Sequence, residues 1–149
     1  MKLRNLKVKS VMSAFPYWVE TEDSLDAARE LMREHDVSHL PVKNDNELIG
    51  IISDRDIRNV TSIWRSSRSD ALTMKVGDIC VQDLISVDLN EPLVKVLRLL
   101  ASNHVGSVVI TRSDRLAGVF TTMDACRVLA EVLDNHDGVS SSDDDPSVA

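Results

Sequence analysis

Aromatic residues are scarce: two Trp, one Tyr and two Phe in 149 residues. The core must therefore be built from Val, Leu, Ile, Ala and Met. Long apolar runs are absent too. The longest are a few residues, far short of the roughly 18 needed to cross a bilayer. Lys2, Arg4, Lys7 and Lys9 precede no apolar stretch, so neither a membrane span nor a secretory leader is expected. Cysteine is limited to Cys80 and Cys126, with no metal-type spacing and no disulfide framework. That points to free thiols and a cytoplasmic protein. Positive charge is not in excess either, the net charge being −7. Residues 134–149 hold Asp134, Asp137, Asp143, Asp144 and Asp145 and no Lys or Arg, so five of the seven net charges sit there. The rest is near neutral, and neither part is an electrostatic footprint for nucleic acid.

What is present is a globular composition, 43% hydrophobic and 28% charged. The chain also repeats itself. Shifted by 68 residues it matches itself without a gap: Val8 on Val76, Val19 on Val87, Leu25 on Leu93, Leu31 on Leu99, Val37 on Val105, Leu48 on Leu116, Gly50 on Gly118 and Asp56 on Asp124. Ile51 with Val119 and Ser53 with Thr121 are conservative pairs. A copy of about 60 residues is marginal alone, so the two should pack as one module. We expect a first repeat with its N-terminal segment at 1–62, a solvated linker at 63–74, a second repeat at 75–133 and a disordered acidic tail at 134–149.

Each copy carries the same pattern. Val11–Glu20 and Ile79–Asp88 predict a loop with a short extended segment. Leu25, Ala28, Leu31, Met32 and His35 recur at helical spacing, as do Leu93, Val96, Leu97 and Leu100. Asp23-Ser24 and Asn90-Glu91-Pro92 are helix-start signals. Leu40–Val42 and Ser107–Ile110 predict buried strands that return as Leu48–Ile52 and Leu116–Phe120 across polar turns. Second helices should begin near Asp54 and Thr122.

The motif that carries chemistry is Gly-x-x-Ser/Thr-x-x-Asp, at Gly50–Asp56 and Gly118–Asp124. A strand runs into a helix start, where unpaired backbone N–H groups attract an anion. The hydroxyl of Ser53 or Thr121 suits a phosphate oxygen, and the two oxygens of Asp56 or Asp124 suit the vicinal diol of a ribose. The same spacing is also that of a helix-capping box, and repetition alone does not separate the two readings. Arg55 sits inside the first motif where the second has Met123. Arg clamps a phosphate and Met does not, so the first site should favour a phosphorylated ligand. Arg58, Arg65 and Arg68 would add positive charge nearby. His35, His39 and His104 form no evident metal triad and no acid–base pair is apparent, so neither catalysis nor a metal is expected.

The doubled pattern resembles the tandem cystathionine-β-synthase (CBS) domain pair. The residues that carry the likeness are Val37-Ser38-His39-Leu40-Pro41-Val42 with Leu48–Ile57, and Val105–Ile110 with Leu116–Asp124. The second copy departs from the first, with Val109 in place of Pro41 and Cys80 in place of Met12. The resemblance implies an α/β (α+β) fold of two β-α-β-β-α repeats packed as one pseudo-two-fold module. It implies a regulatory module that is not an enzyme and has no obligatory cofactor, binding an adenine nucleotide (AMP, ADP or ATP, AMP foremost) between the repeats. Ser53, Asp56, Thr121 and Asp124 would meet ribose and phosphate. Backbone at Thr21 and Ser38-His39-Leu40, and at Leu89 and Gly106-Ser107-Val108, would hold the adenine. The resemblance also implies a homodimer through helix faces and an effector protein that reads the ligand state. Alternatives are a ligand-free dimerisation scaffold, in which both motifs are only caps, and another adenosyl ligand such as S-adenosylmethionine or NAD.

Overall fold

The computed structural model describes residues 3–14, 17–63 and 68–137. Helix α1, Leu25–His35, starts where the Ser24 Oγ accepts from the Ala27 N–H at 3.1 Å. It ends at Asp36, whose φ of 52° is left-handed. Leu25, Ala28 and Met32 form its buried face. Its counterpart α5, Leu93–Asn103, follows Pro92, ends at left-handed His104 and buries Leu93, Val96 and Leu100.

After each helix comes a hairpin. Strands β3 (His39–Asn44) and β4 (Glu47–Ser53) pair antiparallel, as do β6 (Ser107–Arg112) and β7 (Arg115–Thr121). Each turn has two residues of positive φ, Asp45-Asn46 and Ser113-Asp114. That is the twist a two-residue hairpin requires, and short polar side chains tolerate it. Short strands β2 (Val19–Glu20) and β5 (Ser86–Asp88) lie parallel to β3 and β6. Helices α2 (Asp54–Ile63) and α6 (Thr122–Asp137) begin directly at the ends of β4 and β7.

The repeats are interlocked. The leading segment of each copy crosses to the other copy. Strand β1, Ser13–Ala14, pairs with β7 of the second repeat through Ser13↔Val119 and Ala14↔Gly118. Shifted by 68 residues this becomes Val81 against Ile51, where the two backbones exchange hydrogen bonds of 2.9 Å each. Val8 donates to Glu91 O at 3.0 Å, and Val76 to Asp23 O at 2.8 Å, another pair at the same shift. Two cores result. The first gathers Val19, Leu25, Ala28, Met32, Leu40, Val42, Ile52 and Ile57 around Val76 from the second copy's leading segment. The second gathers Leu93, Val96, Leu100, Val108, Ile110 and Phe120 around Leu6 and Val8 from the first. Each fully buried valine contributes roughly 1.5–3 kcal/mol, so the exchange ties the copies together.

The crossing explains the glycine of the repeated motif. A Cβ on Gly50 would lie 2.9 Å from Val81 O, and one on Gly118 would lie 2.6 Å from Ser13 O. Glycine is there because the other copy's backbone passes over it, not for a ligand.

Two expectations need correction. The segment 63–74 is not wholly a solvated linker: Arg68–Leu72 forms a short helix, α3, ahead of the single-turn helix α4 (Val76–Ile79), and Ala71 is buried. Residues 70–74 close on themselves through Thr73 N–H to Asp70 O and Met74 N–H to Ala71 O, each 3.2 Å, and Met74 then packs on the first core. The tail also starts later than 134. Helix α6 runs to Asp137, because neither Gly nor Pro interrupts it before Gly138. The remainder of the expected tail, 138–149, lies outside the described residues.

Candidate functional site

Both Ser/Thr-x-x-Asp motifs form reciprocal capping boxes. Ser53 N–H donates to Asp56 Oδ2 at 2.9 Å, and Asp56 N–H donates to Ser53 Oγ at 3.1 Å. Thr121 N–H donates to Asp124 Oδ2 at 2.9 Å, and Asp124 N–H donates to Thr121 Oγ1 at 3.2 Å. The helix-start amides are less free than the sequence pattern predicts. Asp54 N–H donates to Ser38 O at 2.9 Å, and Thr122 N–H to Gly106 O at 3.0 Å. Of the first three amides of each helix, only Arg55 N–H and Met123 N–H have no such partner among the described residues.

The two carboxylates differ in what they have left to offer. Asp56 is half-buried, and its Oδ1 accepts no hydrogen bond among the described residues. Asp124 is only 4% exposed and fully engaged. Its Oδ2 also accepts from Thr121 Oγ1 at 3.0 Å, and its Oδ1 accepts from Arg127 Nη1 at 3.1 Å. The 68-residue shift puts Asn59 where Arg127 stands, so the first motif has no matching clamp.

Each motif faces the other repeat. A first cavity of about 260 Å³ brings Ser53 and Asp56 together with Val81, His104, Gly106 and Ser107 of the second copy. A second, of about 170 Å³, brings Thr121, Asp124 and Arg127 together with Ser38, His39, Leu40 and Tyr17 of the first copy. The resemblance names ribose-type and backbone positions copy by copy and does not say which of them share a cavity. Interlocking crosses them, so each cavity is built from both copies. Thr21 and Val108 line neither cavity: Thr21 O accepts from Gly77 N–H at 2.9 Å, and Val108 is buried in the second core. Leu89 likewise packs against the second core.

Arg55 is exposed and lines a groove of about 610 Å³ that opens from the first cavity, with Arg58, Asn59, His104 and Thr122 on its walls. Asp54 pairs with Arg58, which leaves Arg55 with no ion pair among the described residues. Met123, its counterpart, lines the second cavity. Arg65 and the side chain of Arg68 lie outside the described residues. His39 lines both cavities and the groove. Burial holds its pKa below the ordinary histidine value, opposed by the negative charges of Asp56 and Asp124 and aided by Arg55. Burial pushes the Cys80 thiol up, so it is protonated at neutral pH and a poor nucleophile. No group of three or more His, Cys, Asp or Glu among the described residues is placed to hold a metal. No described helix is long and apolar enough to cross a membrane.

Tyr17, Arg127 and Val81 line the cavities without having been singled out from sequence, and His104, weighed there only as a metal ligand, lines the first cavity. For Arg127 a signal existed: it lies three residues after Asp124, one helical turn on, where the first copy has Asn59. The others arrive through the crossing, which periodicity does not reveal.

Two interlocked β-α-β-β-α repeats, with a cavity on each side of their junction, define a paired α/β module. The CBS domain family model matches residues 8–62 and 76–131, nearly the whole of both repeats, and the chain belongs to that family. It is 30% identical over 124 residues to hypoxic response protein 1 of Mycobacterium tuberculosis, covering 83% of this chain and 85% of that one. CBSX2, solved in complex with AMP, is 26% identical with a TM-score of 0.69 over 85% of this chain and 98% of its own. The CBS domain pair of protein MJ0100, solved with 5′-methylthioadenosine and S-adenosyl-L-methionine, shares the fold at 21% identity and a TM-score of 0.74, over 85% and 98% of the two chains.

Proposed function

We propose that the chain is a non-catalytic sensor of an adenine nucleotide, AMP foremost, bound chiefly in the first cavity. The observation that carries this is the Oδ1 of Asp56, which accepts no hydrogen bond among the described residues and belongs to a half-buried side chain lining the first cavity with Gly106 and Ser107 of the other repeat. An uncommitted carboxylate oxygen of this kind accepts from a ribose hydroxyl without first losing a protein partner. The groove with Arg55 and His39 suits the phosphate, and Ser107 and Gly106 supply backbone for a base. AMP in the related CBSX2 supports the same ligand class. The second cavity is smaller and its carboxylate is held by Arg127, so it takes the ligand more weakly or takes one with less charge. A ligand bridging both copies favours one relative arrangement of them, which is how binding is passed to an effector protein.

Exposed Leu129 and Leu133, four residues apart on α6, supply the apolar face of a symmetric homodimer. Light scattering at micromolar concentration should give twice the chain mass, and a monomer would refute this part.

Thermal unfolding with AMP, ADP, ATP, adenosine, S-adenosylmethionine and NAD, and with GMP as control, tests the reading. A ligand at 100 times its Kd adds about 2.7 kcal/mol, a Tm rise of roughly 5–11 °C at this size. AMP should produce it and GMP should not. Asp56→Asn should abolish most of it and Arg55→Ala should reduce it. A response to S-adenosylmethionine or NAD alone would move the ligand within the adenosyl class. No response to any of them would favour the scaffold reading, for which the reciprocal caps of both motifs speak.

A further inference from the structure

We infer that His39 is a contact shared by both cavities, and that its imidazole couples their occupancy to each other and to the uptake of a proton. The inference rests on the adenine-nucleotide reading above and concerns how that site is regulated. His39 opens β3 opposite Ser53, which places it beside the start of α2. Across the junction stands Gly106. A Cβ there would lie 3.4 Å from His39 Nε2 and 3.9 Å from Cε1, so the ring stands within van der Waals reach of residue 106. The 68-residue shift places Ser107 at the position equivalent to His39. The junction is therefore asymmetric, with one imidazole in contact with both cavities and with the groove between the helix starts.

Charged groups face this ring from several elements. Asp56 and Arg55 come from α2, and Asp124, held by Arg127, comes from α6. His104, after α5, and Asp83 line the first cavity with it, Asp36 and Tyr17 line the second, and the Asp54–Arg58 pair lines the groove. Burial keeps the imidazole neutral near pH 7, while both carboxylates favour its charged form. A phosphorylated ligand adds negative charge beside it and tips the balance, so the ring gains a proton from solvent as the ligand binds. The ring then carries its charge for the second cavity as well. A first anionic ligand thereby prepares the junction for another, and linkage makes the effect reciprocal.

The test is calorimetric titration of the full chain with AMP at pH 7.5, repeated in two buffers of different ionisation heat. The wild type should take up a substantial fraction of a proton more than His39→Gln. The phosphate of AMP, whose second pKa resembles the value of about 6 for phosphoserine, contributes equally to both proteins. Wild-type affinity should rise as pH falls from 8 toward 6.5, by at most about tenfold per pH unit for one proton. With Asp56→Asn or Asp124→Asn, each weakening one cavity, saturating AMP should still produce the uptake. Equal uptake by wild type and His39→Gln, with AMP bound, would overturn the inference and leave the nucleotide reading standing. Uptake or binding confined to one of the two Asp variants would make His39 a property of a single site and refute the coupling. Failure of AMP to bind the wild type would end both readings. If His39→Gln does not fold, NMR titration of the His39 ring in the wild type decides: its pKa must rise when AMP is added, and an unchanged pKa refutes the inference.

Discussion

Replacing each motif carboxylate with alanine separates capping from ligand binding, because the two are engaged so differently. Asp56→Ala removes one acceptor, that of the Ser53 N–H at 2.9 Å, from a half-buried site. The loss is that of an ordinary cap, about 1 kcal/mol. Asp124→Ala removes the acceptor of Thr121 N–H, of Thr121 Oγ1 and of Arg127 Nη1 from a residue only 4% exposed. The Arg127 contact adds little, since that side chain is mostly exposed. The two Thr121 bonds, made to a buried charge, bring the expected loss to about 2–4 kcal/mol. At roughly 3 °C per kcal/mol for this size, Asp56→Ala should lower Tm by about 3 °C and Asp124→Ala by about 6–12 °C, measured by circular dichroism without ligand. With AMP present the order should invert: Asp56→Ala should lose most of the ligand-induced rise and Asp124→Ala should keep most of it. Equal destabilisation by the two substitutions would refute the difference in engagement. An equal loss of the AMP response would refute the assignment of the first cavity as the principal one.

Gly118→Ala should destabilise by about 1–3 kcal/mol, because its Cβ would stand 2.6 Å from a backbone oxygen of the crossing segment, while Gly106→Ala, with 3.4 Å to a side chain, should lose far less; urea unfolding of both compares them. Val8→Ala, distant in sequence from the second repeat, should nevertheless slow its folding or weaken it, seen as reduced hydrogen-exchange protection of β6 and β7. Stability should fall as pH drops below 6.5 through the lowered folded-state pKa of His39: the unfolded chain binds more protons in that window, so stability rises with pH across it and is complete above it. Chemical unfolding of wild type and His39→Gln between pH 5 and 8 should show that slope reduced in the variant.

Much of the repeat was legible because it depends on local chemistry. Leu25, Ala28 and Met32 lie at helical spacing, Ser24 caps, and Asp45-Asn46 and Ser113-Asp114 adopt positive φ, all within a few residues of chain. The capping boxes at Ser53–Asp56 and Thr121–Asp124 were legible for the same reason. The short helix at Arg68–Leu72 was not, since Ser and Arg around it imitate a linker and, among its described side chains, the fully buried one is the small Ala71.

By itself, the sequence determined the two copies, their element order and which residues carry hydroxyl and carboxylate groups, because periodicity and caps act over one or two turns. Only the tertiary structure decided which copy each group serves. The leading segments cross, over Gly50 and Gly118, since neither copy's core closes without Val76 or Val8 from the other. That crossing joins Asp56 to Gly106 and Asp124 to Ser38, and it leaves one carboxylate oxygen open while Arg127 closes the other. Such contacts join residues about 50 to 90 positions apart, and no local pattern in the chain records them.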